Sequence, residues 1–249
     1  MHPVSTNKSD CLLCGQPLVY FTDARPMTCA LCGNEFASEA ACAAGHFICN
    51  NCHAGSGNDL IEKVCIQSDS VRPVELAIEL MKSPLIAMHG PEHHFLVPAV
   101  LLTAYYNQQG NPEEKTKKIR VARSRADNVL GGFCGFYGAC GAGVGTGIFV
   151  SIITDSTPLS EESWGHANQM TAESLRCIGA LGGPRCCKRD TFMALKTAGK
   201  FLRQKFNLTM DIPDTILCDF NSFNRECKEE GCPFYDRTQS PSTPTLIQI

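Results

Sequence analysis

Pro73-Val74-Glu75-Leu76-Ala77-Ile78-Glu79-Leu80-Met81-Lys82 is the first stretch of this 249-residue chain with the rhythm of a helix. Proline suits a first helical turn, where its missing N–H has no partner to lose, and Val74, Leu76, Ala77 and Leu80 then share one apolar face. Ahead of it the chain is turn-rich and dense in cysteine; behind it helical punctuation takes over. Gly90-Pro91 starts a helix through Phe95, Leu96, Val100, Leu101 and Leu102 to about Asn107, with Pro98 predicting a kink or a later start. Asn111-Pro112-Glu113-Glu114 opens another, with acids in the first turn and Lys117, Lys118, Arg120, Arg123 and Arg125 following, read as a solvated basic face with phosphate or RNA binding as the alternative. Ser160-Glu161-Glu162 and Thr171-Ala172-Glu173 mark two further starts. Asp190 caps an amphipathic helix over Phe192, Leu195, Ala198, Phe201 and Leu202 that ends near Asn207. Strand-like alternation is scarce after residue 70. The expected architecture is mainly α: a helical Cys/Gly-rich domain over 67–237, a small zinc-ribbon-like module before it over 1–66, and a loose tail over 238–249.

Sixteen cysteines divide between these parts, eight of them in the first 65 residues. Cys11-x2-Cys14-Gly15 and Cys29-x2-Cys32-Gly33 have the form of zinc knuckles, in which two thiolates of one tight turn face one metal and the glycine relieves the backbone. Fourteen intervening residues allow a hairpin that brings both turns together, so that Cys11, Cys14, Cys29 and Cys32 would close one tetrahedral structural site. Zinc is the expected ion and rubredoxin-like iron its competitor. Cys42, His46, Cys49 and Cys52, spaced C-x3-H-x2-C-x2-C, supply a second set, unless the two sets exchange ligands in a cross-braced arrangement. Cys65 has no local partner and reads as a buried thiol. A segment this short buries little surface, so metal binding would supply its folding energy.

The later cysteines keep different company. Between Gly131 and Gly147 eight of seventeen residues are glycine, each costing ~1 kcal/mol relative to alanine if helical. Gly141-x3-Gly145 permits close helix contact, which does not account for Cys134 and Cys140. In Gly182-Gly183-Pro184-Arg185-Cys186-Cys187-Lys188-Arg189, two adjacent thiols stand among cations ahead of a helix, an environment expected to lower their pKa. Cys134, Cys140 and one of Cys186 or Cys187 would give three thiolates to a [4Fe-4S] cluster and leave its fourth iron open; a metal-free redox dithiol and buried structural thiols are the other readings. His89 and His93, in Met88-His89-Gly90-Pro91-Glu92-His93-His94, are candidates for proton transfer or ligation, with a polar helix cap as the alternative. Cys218-x8-Cys227-x4-Cys232 offers three ligands for a further site, the fourth coming from elsewhere, such as Cys177.

With 43% hydrophobic residues and a net charge of -3, the chain is neither disordered nor a strongly basic nucleic-acid binder. No segment approaches ~20 uninterrupted apolar residues, so no membrane partner is expected. The polar start Met1-His2-Pro3-Val4 lacks the apolar core of an export signal, which points to a cytoplasmic protein whose cysteines are thiols or metal ligands.

The phrases MHGPEHHF (88–95), GGFCGFYGACGAGVGTGIFVS (131–151) and GGPRCCKRD (182–190) resemble an uncharacterised cysteine-rich domain family of anaerobic archaea and bacteria, over about residues 75–235. Its members occur alone or joined to radical-SAM or methyltransferase-like modules, so the resemblance implies anaerobic metabolism without fixing an activity. The expectation is a zinc-containing iron–sulfur or thiolate protein for sulfur transfer, lyase or redox chemistry. Cys134, Cys140, Cys186 and Cys187 would carry the centre, while His89, His93 and Arg185 position a small anionic or sulfur-containing substrate. The alternative is a non-enzymatic adaptor whose zinc module docks a partner enzyme or nucleic acid.

Overall fold

The structure is a computed structural model and describes residue 11, residues 16–30 and residues 32–239. A hairpin comes first. Strand β1 (Leu18–Thr28) pairs antiparallel with β2 (Glu35–Cys42), from Leu18 opposite Cys42 to Thr28 opposite Glu35, with an irregularity between Tyr20 and Arg25. Eight α-helices follow among the described residues.

Helix α1 (Asn50–Gln67) is the element that the cysteine-dense reading missed. Its first turn is polar and carries Cys52, which hides the helical rhythm; the signal sits further on, where Ile61 and Cys65, four residues apart, are fully buried in the core. One helix therefore runs from a hairpin-side cysteine into the helical body.

Helix α2 (Pro73–Met81) forms with Pro73 in its first turn and buries the anticipated Val74, Leu76, Ala77 and Leu80. Helix α3 (Glu92–Gln108) is the axis of the bundle, with Phe95, Leu96, Val97, Val100, Leu101 and Leu102 fully buried. It packs against α1, α2 and three helices that follow, which is why it is apolar all round rather than on one face. Each such side chain contributes about 1.5–3 kcal/mol by leaving water. Pro98 lies inside α3 without ending it. Helix α4 (Pro112–Ala126) starts where Asn111 Oδ1 accepts the Glu114 N–H at 3.2 Å and ends with Arg123 and Arg125 in its last turn.

After the single turn of α5 (Phe133–Phe136), the glycines build α6 (Gly141–Ile153). A Cβ on Gly145 would stand 2.9 Å from both the His94 carbonyl oxygen and Pro98 Cδ of α3, and one on Gly141 would fall into the His94 ring. The glycine face thus lets α6 lie directly on the proline turn of α3.

Two sequence expectations are corrected here. The starts expected at Ser160 and Thr171 belong to one helix, α7 (Glu162–Leu181); Thr171 sits inside it and donates its hydroxyl to the Ala167 carbonyl at 3.2 Å, one turn back. Helix α8 (Cys187–Phe206) starts earlier than Asp190, with Cys186 as N-cap, its Sγ accepting the Arg189 N–H at 3.5 Å. Asn207, at φ 52°, closes α8. Beyond it the chain runs through short 3-10 turns back over the start of α8. The expected tail past Gln239 falls outside the described residues. No helix among those described is long and apolar enough to cross a membrane.

Candidate functional site

The hairpin gathers two ligand groups, and they interleave. Cys29, Cys32, Cys49 and Cys52 bring their sulfurs within 4.8 Å of one another; Cys11, Cys42 and His46 form the second group at the same spacing. The expected closure of Cys11 with Cys29 and Cys32 does not occur. An eleven-residue strand separates them, and at ~3.3 Å per residue such a run is too long to fold both knuckles onto one ion. The pairing of Leu18 with Cys42 instead returns the chain to the Cys11 end. The cross-braced arrangement is the one adopted; Cys14 lies outside the described residues.

The first group suits a zinc-sized ion. Cys32 Sγ and Cys49 Sγ are 3.8 Å apart, the edge of a tetrahedron whose corners stand ~2.3 Å from its centre. The Cys49 N–H donates to Cys29 Sγ at 3.3 Å. Crowded sulfurs cannot all ionise unaided: Cys52 is pushed up to about 12, first by its hydrogen bond to Cys49. A cation replaces that proton and relieves the repulsion. In the second group Cys11 Sγ lies 3.8 Å from His46 Nδ1.

A cavity of about 740 Å³ opens between β1, the α5 turn and the loop before α8. Cys134, Cys140, Arg185 and His89 line it, as expected for a site, and so do Tyr20 and Glu226, which the sequence did not single out. The hairpin reaches it through Tyr20, whose ring meets Phe136 at 6.2 Å and lies under the Arg185 guanidinium at 5.6 Å. Asn50 Oδ1 accepts the Gly131 N–H at 2.9 Å, tying α1 to the glycine segment. Arg189 Nε pairs with Asp190 Oδ1 at 3.0 Å, both side chains buried, so Arg189 spends its charge internally.

The adjacent cysteines part company. Cys187 is turned inward, within electrostatic reach of Cys140 and Asp190. Cys186 faces the other way, lining a smaller cavity with Cys218, Cys227 and Cys232. Cys177 stays apart on α7, hydrogen-bonded to Glu173 at 3.9 Å. The expected depression of thiol pKa is reversed. Burial, then Asp190, raises Cys140 to about 12 and Cys187 well above the usual thiol range; burial raises Cys186 to about 11. Lys188 does not serve the thiols: its Nζ turns into the core, donating to the Met81 and Ile86 carbonyls at 3.2 and 3.3 Å. Thiols held neutral by burial are poor free nucleophiles but good metal ligands, because a metal takes the place of the proton.

The histidines differ as well. His89 faces the cavity, its Nε2 3.2 Å from Asn224 Oδ1, and burial followed by Arg185 lowers its pKa. The amide oxygen calls for a proton on Nε2, leaving Nδ1 as a lone pair with no hydrogen-bond partner. His93 is interior and not part of the cavity lining; its Nδ1 lies 3.1 Å from the Gly90 carbonyl. His94 holds the Val129 carbonyl at 2.7 Å. Glu92 is buried beside them, accepts the Ala87 N–H at 2.7 Å, and is raised to about 7 by burial.

Residues 61–235 match a family of unknown function, DUF5714. The chain belongs to that family. The DUF5714 match begins inside α1, past the hairpin ligands, and takes in the cavity thiols, both adjacent cysteines and the three C-terminal ones. The phrases at 88–95, 131–151 and 182–190 all fall within it. No curated protein and no solved structure matches the chain.

Proposed function

We propose that the large cavity is the reaction chamber of a metalloprotein of anaerobic metabolism, with Cys134, Cys140 and Cys187 as three thiolate ligands of a [4Fe-4S] cluster. The carrying observation is the convergence of Cys134, Cys140, Arg185 and His89, from three separate segments, on one 740 Å³ space. The thiols fit such a group: they are soft donors, Cys140 and Cys187 hold their own protons tightly through burial, and three of them leave one corner for substrate. When bound, the cluster supplies an open iron as Lewis acid or electron carrier. The chain's own residues do the rest. Arg185 binds the anionic end of a small, sulfur-containing substrate. His89, neutral and carrying its lone pair on Nδ1, accepts a proton from it, and Asn224 fixes that tautomer. Tyr20 and Phe136 give the cavity an aromatic wall. Sulfur transfer or a lyase reaction uses all these parts, whereas simple electron transfer needs neither the cation nor the base.

The test is iron and acid-labile sulfide in protein purified without oxygen, compared with Cys134→Ala/Cys140→Ala. The parent is expected to exceed the variant by about four iron and four sulfide, the content of one cluster, at equal zinc. Equal iron in the two would end this reading. The adaptor reading draws on Leu18 and Val19, apolar and exposed on β1; it gains ground only if the cavity variants change neither metal content nor any activity.

A further inference from the structure

Four cysteines outside the reaction chamber share a second cavity: Cys186 at the N-cap of α8, and Cys218, Cys227 and Cys232 from the C-terminal segment. The segment is folded around them. The Cys218 N–H donates to the Phe234 carbonyl at 2.7 Å, and the Cys232 N–H to that of Glu229 at 2.8 Å, so both ends of the loop are pinned. Cys218 lies within electrostatic reach of the other three. Three of the sulfurs already receive backbone N–H groups: Arg189 to Cys186 at 3.5 Å, Phe220 to Cys218 at 3.4 Å and Glu229 to Cys227 at 3.4 Å. Glu229 achieves this in the left-handed region, at φ 46°, directly after Lys228 at φ -81° and ψ -2°. A right-handed residue followed by a left-handed one points successive N–H groups into an anion-binding hollow of the kind found at iron–sulfur sites. Lys228 lines the same space and adds a positive charge beside the four thiols.

We infer that Cys186, Cys218, Cys227 and Cys232 ligate a second [4Fe-4S] cluster, closed to substrate by its fourth cysteine. The size of the set favours a cluster over a single ion. Among the described residues, thiols mutually within 4.8 Å, as a lone tetrahedral ion requires, occur only in the hairpin. The four here line one small cavity without gathering to that spacing. Neither knuckle spacing nor a glycine follows these cysteines, which sets them apart from the zinc-type turns. Cys186 and Cys187 are joined by one peptide bond, so this closed centre would stand next to the open one proposed for the chamber.

The experiment uses the full chain, purified without oxygen and reconstituted with ferrous iron and sulfide. Cys227→Ala/Cys232→Ala, both at half-buried positions, is expected to lose about four iron and four sulfide at unchanged zinc, while Cys134→Ala/Cys140→Ala retains that portion. A second readout needs no variant: in the reconstituted parent, Cys186, Cys218, Cys227 and Cys232 should resist alkylation together and become reactive together once the cluster is oxidised away. Unchanged iron in Cys227→Ala/Cys232→Ala, zinc bound by these four thiols, or alkylation of each at its own rate regardless of iron would overturn the inference. Because the two variant pairs report on different cysteines, the chamber and this centre can fail separately.

Discussion

Gly141 and Glu92 show how much depends on single side chains beside the histidine segment. A methyl group at Gly141 would enter the His94 ring, and the ring cannot withdraw, because its Nδ1 is bound to the Val129 carbonyl. Gly141→Ala should therefore destabilise the fold by about 1–3 kcal/mol, the usual cost of overpacking a core, read as a lower urea midpoint at unchanged slope. Glu92 makes stability depend on pH. Burial raises its carboxyl from 4.5 to about 7, so the folded state holds a proton that the unfolded chain has released. Its contribution is intact below the unfolded value and is lost as pH climbs from about 4.5 through 7, amounting to about 3 kcal/mol. Glu92→Gln keeps an acceptor for the Ala87 N–H without the charge. It should match the parent near pH 4 and exceed it by up to about 3 kcal/mol by pH 8, in paired urea titrations; parallel curves would rule out this account of Glu92.

At the scale of elements, β1 decides which cysteines meet. Its length keeps the first and second knuckles apart, and the return of β2 joins Cys42 to Cys11 while the start of α1 brings Cys52 to Cys29. Two zinc ions per chain are expected. Cys49→Ala should lose the ion held with Cys29 and Cys32, and alkylation should then reach Cys29, Cys32 and Cys52 while Cys11 and Cys42 stay protected. Pairing by sequence order would give the opposite pattern, with Cys29 and Cys32 still shielded. The helices taught the complementary lesson. Pro73, Asn111 and the acids after it mark starts that the structure keeps, because caps and first turns are local chemistry. Thr171-Ala172-Glu173 imitates a start inside α7, since a threonine hydroxyl can serve the turn behind it as well as the turn ahead. The opening of α1 gave no apolar rhythm because its first turn, Asn50-Asn51-Cys52-His53, is made of polar and thiol residues.

Across the whole molecule, the hairpin is a wall of the chamber as well as a metal module. Tyr20 touches Phe136 and Arg185, and Asn50 holds Gly131. Removing zinc with a chelator should loosen that wall and speed alkylation of Cys134 and Cys140, read by mass spectrometry against the deeply buried Cys65 as an internal standard. Tyr20→Ala should produce part of the same effect with zinc retained. If chelation leaves the cavity thiols as slow as before, hairpin and chamber are energetically independent.

What the sequence determined by itself is local: a mainly helical body behind cysteine knuckles, the apolar faces of α2, α3 and α8, and the candidate status of nearly every thiol now found near a cavity. These follow from periodicity, capping and turn chemistry, which act over a few residues. Only the tertiary structure decided which candidate ligands come together, that Cys186 lines the small cavity while Cys187 is turned into the interior beside Cys140, and that burial, not the neighbouring cations, governs their protons. Adjacent residues at the start of a helix point in different directions, and the desolvation of a thiol depends on everything packed around it. Neither can be read from neighbours in the chain.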